Sequence, residues 1–207
     1  MNAHTLLLTG FAPFDGHPVN ASSRVLETGH WPLREHWQVR TRILPVSWTR
    51  AWPTLEADLD ASVRGVLALG QADLDCLQLE RCARNRNDSR VDADGDLPTA
   101  HGIVPDGPET LPARLPLTRL QRGLEAGGHP VTVADDAGDF LCNHVFYRLM
   151  DHVAHHRADL QAGFVHVPEP GRMDASDLRA AILVLVSEML EHLEIRDSAM
   201  GRLQPLR

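Results

Sequence analysis

Three short, nearly unbroken apolar runs limit what this chain can fold into: Thr5-Leu-Leu-Leu-Thr9, Arg64-Gly-Val-Leu-Ala-Leu69 and Gln161-Ala-Gly-Phe-Val-His-Val167. Each has the length of a strand; the first reads as a buried strand, and the other two as further apolar strands. Further strand signals lie at Val39-Arg-Thr-Arg-Ile-Leu-Pro-Val46 and Val131-Thr-Val-Ala134. Between these come helical stretches: a short one opened by Asn20-Ala-Ser-Ser-Arg24, then 48–60, 115–125 and 141–153, and a last one from the Asp174-Ala-Ser-Asp177 cap to about Arg196. Strands alternating with helices imply an α/β fold. The expectation is a single-domain three-layer sandwich over residues 1–207, its twisted mixed, mostly parallel sheet covered by helices on both faces.

Composition removes several function classes. All 20 basic residues are arginine, so a Schiff-base or P-loop lysine is excluded, and the formal charge of -8 argues against nucleic acid as a partner. The longest apolar run, Ala180-Ala-Ile-Leu-Val-Leu-Val186, is too short to span a bilayer, and Met1-Asn-Ala-His4 lacks the basic and apolar regions of a secretory leader. Cys76, Cys82 and Cys142 form no CxxC spacing and leave one over in any pairing, which suits a reduced, cytoplasmic setting.

Cys142 stands apart from the other two. The Val131–Ala134 strand leads by a short loop to a helix whose apolar stripe is Leu141, Val145, Leu149 and Val153, so Cys142 lies in that helix's first turn. Free N–H groups and the positive dipole end favour an anion there, which suits a thiolate nucleophile and the oxyanion it would create. The alternative is a small buried hydrophobe. A nucleophilic thiol needs a base and a group to orient it. His166 is the histidine inside an apolar strand near its end, and Glu80 is a carboxylate in an extended stretch, so Cys142–His166–Glu80 is a candidate triad beside the alternative of a satisfied core histidine. The loop Gly10-Phe-Ala-Pro-Phe-Asp-Gly16 puts Phe11 and Phe14 at a strand's C-terminal end, where open α/β sheets bind ligands, unless the two rings only tuck beneath the loop. Gln71 ends another strand with an amide able to donate and accept. Residues 88–112 form a long acidic loop of the kind that closes over a site.

Six segments together resemble one family, the pyrrolidone-carboxylate peptidases or pyroglutamyl peptidases I: Leu8-Thr-Gly-Phe-Ala-Pro-Phe-Asp-Gly16, Gly70-Gln71-Ala72, Leu79-Glu80-Arg81, Asp106-Gly-Pro108, Phe140-Leu-Cys-Asn-His-Val-Phe-Tyr147 and Gly163-Phe-Val-His-Val-Pro168. They occur in the family's order and spacing over nearly the whole chain. The resemblance implies a cysteine exopeptidase that cleaves after an N-terminal pyroglutamyl residue through a thioacyl-enzyme, without metal or cofactor. It implies Cys142 as nucleophile, His166 as base and Glu80 as the triad carboxylate. Phe11, Phe14, Gln71, Val91, Phe140 and Leu141 would receive the lactam ring, with Arg90 in support. Partners would be N-terminally pyroglutamylated peptides, and the chain would form a homo-oligomer, dimer or tetramer.

This chain also departs from the family pattern. Arg84 and Arg86 replace apolar residues, Asn87 and Asp92 replace an Asp and a Pro, and Ala93 falls on a frequently acidic position. Asp15 and Asp139 stand where small or hydroxyl residues are common, and Asp139 so close to Cys142 would oppose a thiolate. Arginines in a buried strand would need partners or a path to water. Two rival readings follow, a cysteine amidase acting on another lactam or small amide, and a family fold that only binds ligand. A third is a zinc site on His152, His155 and His156, with His144 two turns earlier; no HExxH-type carboxylate accompanies them.

Overall fold

Successive side chains along a strand point to opposite faces, and this parity decides which residues of the apolar runs meet which helices. The computed structural model describes residues 3–202 except positions 15, 28 and 33, with side chains described to Ala199. Asp15 thus lies outside the described residues. In chain order the elements are β1 (His4–Phe11), α1 (Ala21–Glu27), β2 (Trp37–Leu44), α2 (Ala51–Glu56), β3 (Val63–Ala72), β4 (Leu77–Glu80), β5 (Cys82–Arg84), β6 (Thr110–Pro112), α3 (Leu117–Ala126), β7 (Val131–Ala134), α4 (Leu141–His156), β8 (Gln161–Pro168) and α5 (Ala175–Arg202). The main sheet runs β2-β1-β3-β8-β4-β7, and β5 and β6 form a separate antiparallel pair. Neighbours in the main sheet are parallel except β4 and β8. The mixed, mostly parallel sheet expected from the sequence is what forms.

The three apolar runs become the central strands β1, β3 and β8, and every residue of β8 is buried. On one face Leu6, Leu8, Leu67, Leu69, Leu77, Leu79, Val165 and Val167 pack with α1, α3 and α5. On the other Leu7, Val66, Ala68, Ala162 and Phe164 pack with α2 and α4. Continuing each count along its strand puts Gly70, His166 and Glu80 on the α4 face. Parity alone brings His166, Glu80 and the helix that carries Cys142 to one side of the sheet.

Several boundaries differ from expectation: the second strand is Trp37–Leu44, α4 runs on to His156, and β6 forms at the end of the 88–112 loop. The 48–60 helix shortens to α2 because Asp58 and Asp60 are drawn to Arg42 and Arg40 of β2, and Asp60 Oδ1 accepts from Ser62 N at 2.8 Å to turn the chain. The last helix runs past Arg196 to Arg202, with no Gly or Pro to stop it there. The 88–112 loop is pinned rather than loose. Asn85 Oδ1 accepts from Ile103 N and Val104 N, Asn87 Nδ2 donates to Ala100 O, and Tyr147 Oη donates to Pro108 O at 2.7 Å. Among the described residues no helix is long and apolar enough to cross a membrane.

Candidate active site

Cys142 sits in the first turn of α4, as the sequence pattern predicts. The residue before the helix, Phe140, is extended (φ -88°, ψ -162°), and no side chain caps the N-terminus. The amides of this turn have no intrahelical partner and stay available to an oxyanion. Asn143, fully buried, fixes the turn against β5: its Oδ1 accepts from Arg84 N, and its Nδ2 donates to Arg84 O and Arg86 O, each at 2.9 Å. Beneath the thiol lies Gly70. A Cβ there would stand 2.7 Å from Cys142 Sγ and 2.7 Å from Phe164 Cζ, so only a residue without a side chain leaves room for the sulfur.

His166 lines the same cleft as Cys142 and is 6% exposed. Its Nδ1 donates to Glu80 Oε1 at 2.7 Å, which leaves Nε2 for the cysteine side. Glu80 is 0% exposed, and its Oε1 also accepts from Gln78 Nε2 at 2.8 Å. Burial alone would pull the imidazole's pKa down; its interactions with Cys142 and Glu80 overcome this and raise it to about 9. An imidazolium held beside the sulfur keeps a proton ready for a leaving group.

In front of this floor is a cleft of about 340 Å³. Of the residues expected to receive a ring, Phe11, Phe14, Gln71, Phe140 and Leu141 line it, and so does Arg90. Phe14 and Phe140 stack with centroids 5.6 Å apart, and the Arg90 guanidinium lies 4.2 Å from the Phe140 ring centre. Gln71 is half committed: its Oε1 accepts from Ala21 N at 2.8 Å, so its Nε2 donors are the part left for a ligand. Val91 does not join them. It is 53% exposed and outside the cleft lining, because its neighbours turn inward instead. Asp92 is buried and accepts from Trp48 N, Asp94 N and Asp96 N, while Arg90 reaches Phe140, which turns Val91 to water.

Two of the departures noted in the sequence, Arg86 and Asp139, turn out to be partners. Arg86 pairs with Asp139 through Nε and reaches Asp136 at 3.1 Å, and Arg84 lies 3.5 Å from Asp136. The carboxylate that would oppose a thiolate is met by a guanidinium, and both arginines lie at the solvent edge. Of the histidines of α4, His152 and His156 lie with ring centroids 5.1 Å apart, while the others turn to separate partners. His144 Nδ1 faces Asn87 Oδ1 at 2.9 Å, His155 turns back to Asp151, and His152 lies beside Trp52 and Glu56. Among the described residues, the one group of three metal-binding side chains within reach of each other is Asp92, Asp94 and Asp96, and the oxygens of Asp92 already accept main-chain bonds.

Against known proteins, the family model described as Pyroglutamyl peptidase matches residues 4–189. The chain belongs to the pyroglutamyl peptidase family. It is 38% identical over 168 residues to pyrrolidone-carboxylate peptidase 1 of Ralstonia nicotianae, covering 79% of this chain and 78% of that protein. With the pyrrolidone-carboxylate peptidase of Oceanobacillus iheyensis it shares 33% over 165 residues, 79% of this chain and 83% of the relative. Among solved structures, the pyrrolidone carboxyl peptidase of Thermococcus litoralis superposes with a TM-score of 0.86 at 30% identity, covering 93% of this chain and 96% of that one. Pyroglutamyl peptidase I of Bacillus amyloliquefaciens gives 0.83 at 26%, covering 92% and 98%.

Within this family member, four contributors to the site escape a reading of the sequence alone. Gln78 carried a usable signal, since it lies two residues before Glu80 on the same strand face. Gly70, Asn143 and Trp48, whose edge meets Phe140 at 5.2 Å, carried none, because their partners lie far away in the chain.

Proposed function

We propose that this chain is a cysteine exopeptidase that hydrolyses the amide bond after an N-terminal pyroglutamyl residue. The observation that carries the reading is the imidazole of His166, set between Cys142 and the buried carboxylate of Glu80 at the floor of an aromatic cleft. A pyroglutamyl group is a flat, neutral lactam, so a site for it needs apolar walls and amide-matching groups. Phe11, Phe14 and Phe140 supply the walls, and Gln71 Nε2 donates to the lactam carbonyl. The Cys142 thiolate attacks the carbonyl that joins the ring to the next residue, and the α4 amides hold the oxyanion. His166 gives its proton to the departing amine as the C–N bond breaks, leaving a thioacyl-enzyme and the shortened peptide. Water then attacks the thioester, His166 takes its proton, and pyroglutamate leaves as the thiolate reforms. Glu80 keeps His166 in the tautomer that presents Nε2 to the reaction. No step calls for a metal or a cofactor.

The same reading makes residues 1–207 one working domain, its substrates pyroglutamylated peptides rather than nucleic acid or lipid, and its setting reducing and cytoplasmic, in keeping with three free cysteines. Assembly as a homo-oligomer belongs to it as well, and light scattering of the purified chain tests that. The activity is tested with fluorogenic amides of pyroglutamate, alanine, proline and glutamine. Turnover confined to the pyroglutamyl amide is expected. Equal turnover of another small amide would favour the amidase, and no turnover of any would favour a binding protein.

A further inference from the structure

Behind the catalytic helix lies a second cavity of about 290 Å³, with Trp48, Trp52, Thr49, Thr99, His144 and Arg148 in its walls. It shares no lining residue with the cleft in front of Cys142. Arg148 is only partly exposed, and its buried Nε has no hydrogen-bond partner. No Asp or Glu lines the cavity, although the chain carries 28 of them. Asp151, one turn along α4, lies 3.3 Å from His155. Arg86, Arg119 and Arg157, also partly buried, have the carboxylate partners Asp139, Glu188 and Asp159, and Arg179 donates to the main-chain oxygens of Val25 and His30. His144 adds no counter-charge. Burial, with Arg148 beside it, holds that imidazole down to about 4, and its Nδ1 is committed to Asn87.

A partly desolvated guanidinium without a counter-ion is unfavourable, and a cavity that supplies none invites one from solution. We propose that this cavity is a binding site for a small oxyanion, a phosphate or a carboxylate, held by Arg148 with the hydroxyls of Thr49 and Thr99 between the Trp48 and Trp52 rings. The site is separate from the chemistry but in contact with it, because the Trp48 ring that walls it packs edge-on against Phe140 of the front cleft.

Two of the four tryptophans line the cavity, so binding is read directly. Inorganic phosphate and acetate are titrated separately into the full-length protein at constant ionic strength, with chloride as the reference, following tryptophan fluorescence and melting temperature. A saturable fluorescence change and a raised melting temperature are expected with at least one of the two anions. The anion that acts identifies the class, phosphate or carboxylate. Arg148→Met should weaken binding at least tenfold, whereas Arg90→Met, on the rim of the front cleft, should leave it unchanged. Without anion, Arg148→Met should melt no lower than the parent, since it removes an unpaired charge. Thr99→Val, which leaves the charge in place, should weaken binding severalfold and guards against a misfolded Arg148 variant. Absence of a saturable change with either anion, its survival in Arg148→Met, or its loss in Arg90→Met would overturn the proposal.

Discussion

Glu80 and His166, 0% and 6% exposed, are carried by strands, whereas Arg90 and Asp139 across the same cleft are carried by loops with side chains 62% and 42% exposed. The floor charges are fixed by backbone register and by each other, largely shielded from water. The rim charges are paired side chain to side chain in solvent, where such pairs contribute about 0–1 kcal/mol. The difference teaches which sequence departures matter. Asp139 lies on this rim and pairs with Arg86, while the floor is the buried His166–Glu80 pair. Substitutions in the floor should therefore be severe, and those in the rim mild.

The largest effects belong to the floor. His166→Ala should reduce pyroglutamyl-amide turnover at least as far as Glu80→Gln, which should cost about 10²–10⁴-fold in kcat by releasing the imidazole from its tautomer. Normal circular dichroism together with intact turnover in either variant would break the comparison. Next comes Gly70→Ala, whose Cβ must displace Cys142 Sγ or the Phe164 ring. A displacement of that kind should cost on the order of 10²-fold in kcat/KM, and an unchanged rate would show that the thiol is not confined there.

The pH profile sharpens the same contrast. The folded pKa of His166, about 9, lies above its ordinary value of 6.5. Its contribution to stability is therefore complete below about 6.5 and is lost as pH rises through about 9. Activity should fall over the same alkaline range as the proton donor disappears. In Glu80→Gln both losses should begin at lower pH; an alkaline limb that stays put would separate His166 from Glu80. Asn143→Ala should lower stability, since it removes the side-chain partner of the partly buried Arg84 N and Arg86 O, at about 1–3 kcal/mol for each group left unpaired. Chemical denaturation measures this. Smallest of all, Asp139→Asn should change kcat/KM by no more than about threefold, as expected for an exposed paired charge. A gain above tenfold would show that this carboxylate restrains the thiolate after all.

Much of the floor was legible in the sequence because strand parity and helix phase are local. The count along 161–167 places His166, the run to Glu80 places its carboxylate, and the onset of the Leu141–Val153 stripe places Cys142 in a first turn. The rim was less legible because it depends on pairings across long stretches of chain. Arg86 meets Asp139 53 residues away, and Asp92 turns Val91 outward by reaching back 44 residues to Trp48. Neither distance leaves a periodic mark.

The floor is tested most directly by the three thiols of one molecule acting as mutual controls. The native protein is exposed to limiting iodoacetamide at about pH 6.5, below the ordinary thiol range, and the sites are quantified by peptide mass spectrometry. Burial and the nearby Asp135 push the Cys82 thiol up, so it should react slowly. Cys142 should be carboxamidomethylated well ahead of Cys76 and Cys82, and His166→Ala should erase that lead. Modification of all three at similar rates, or a lead for Cys142 that persists without His166, would contradict a thiolate held ready by the imidazole.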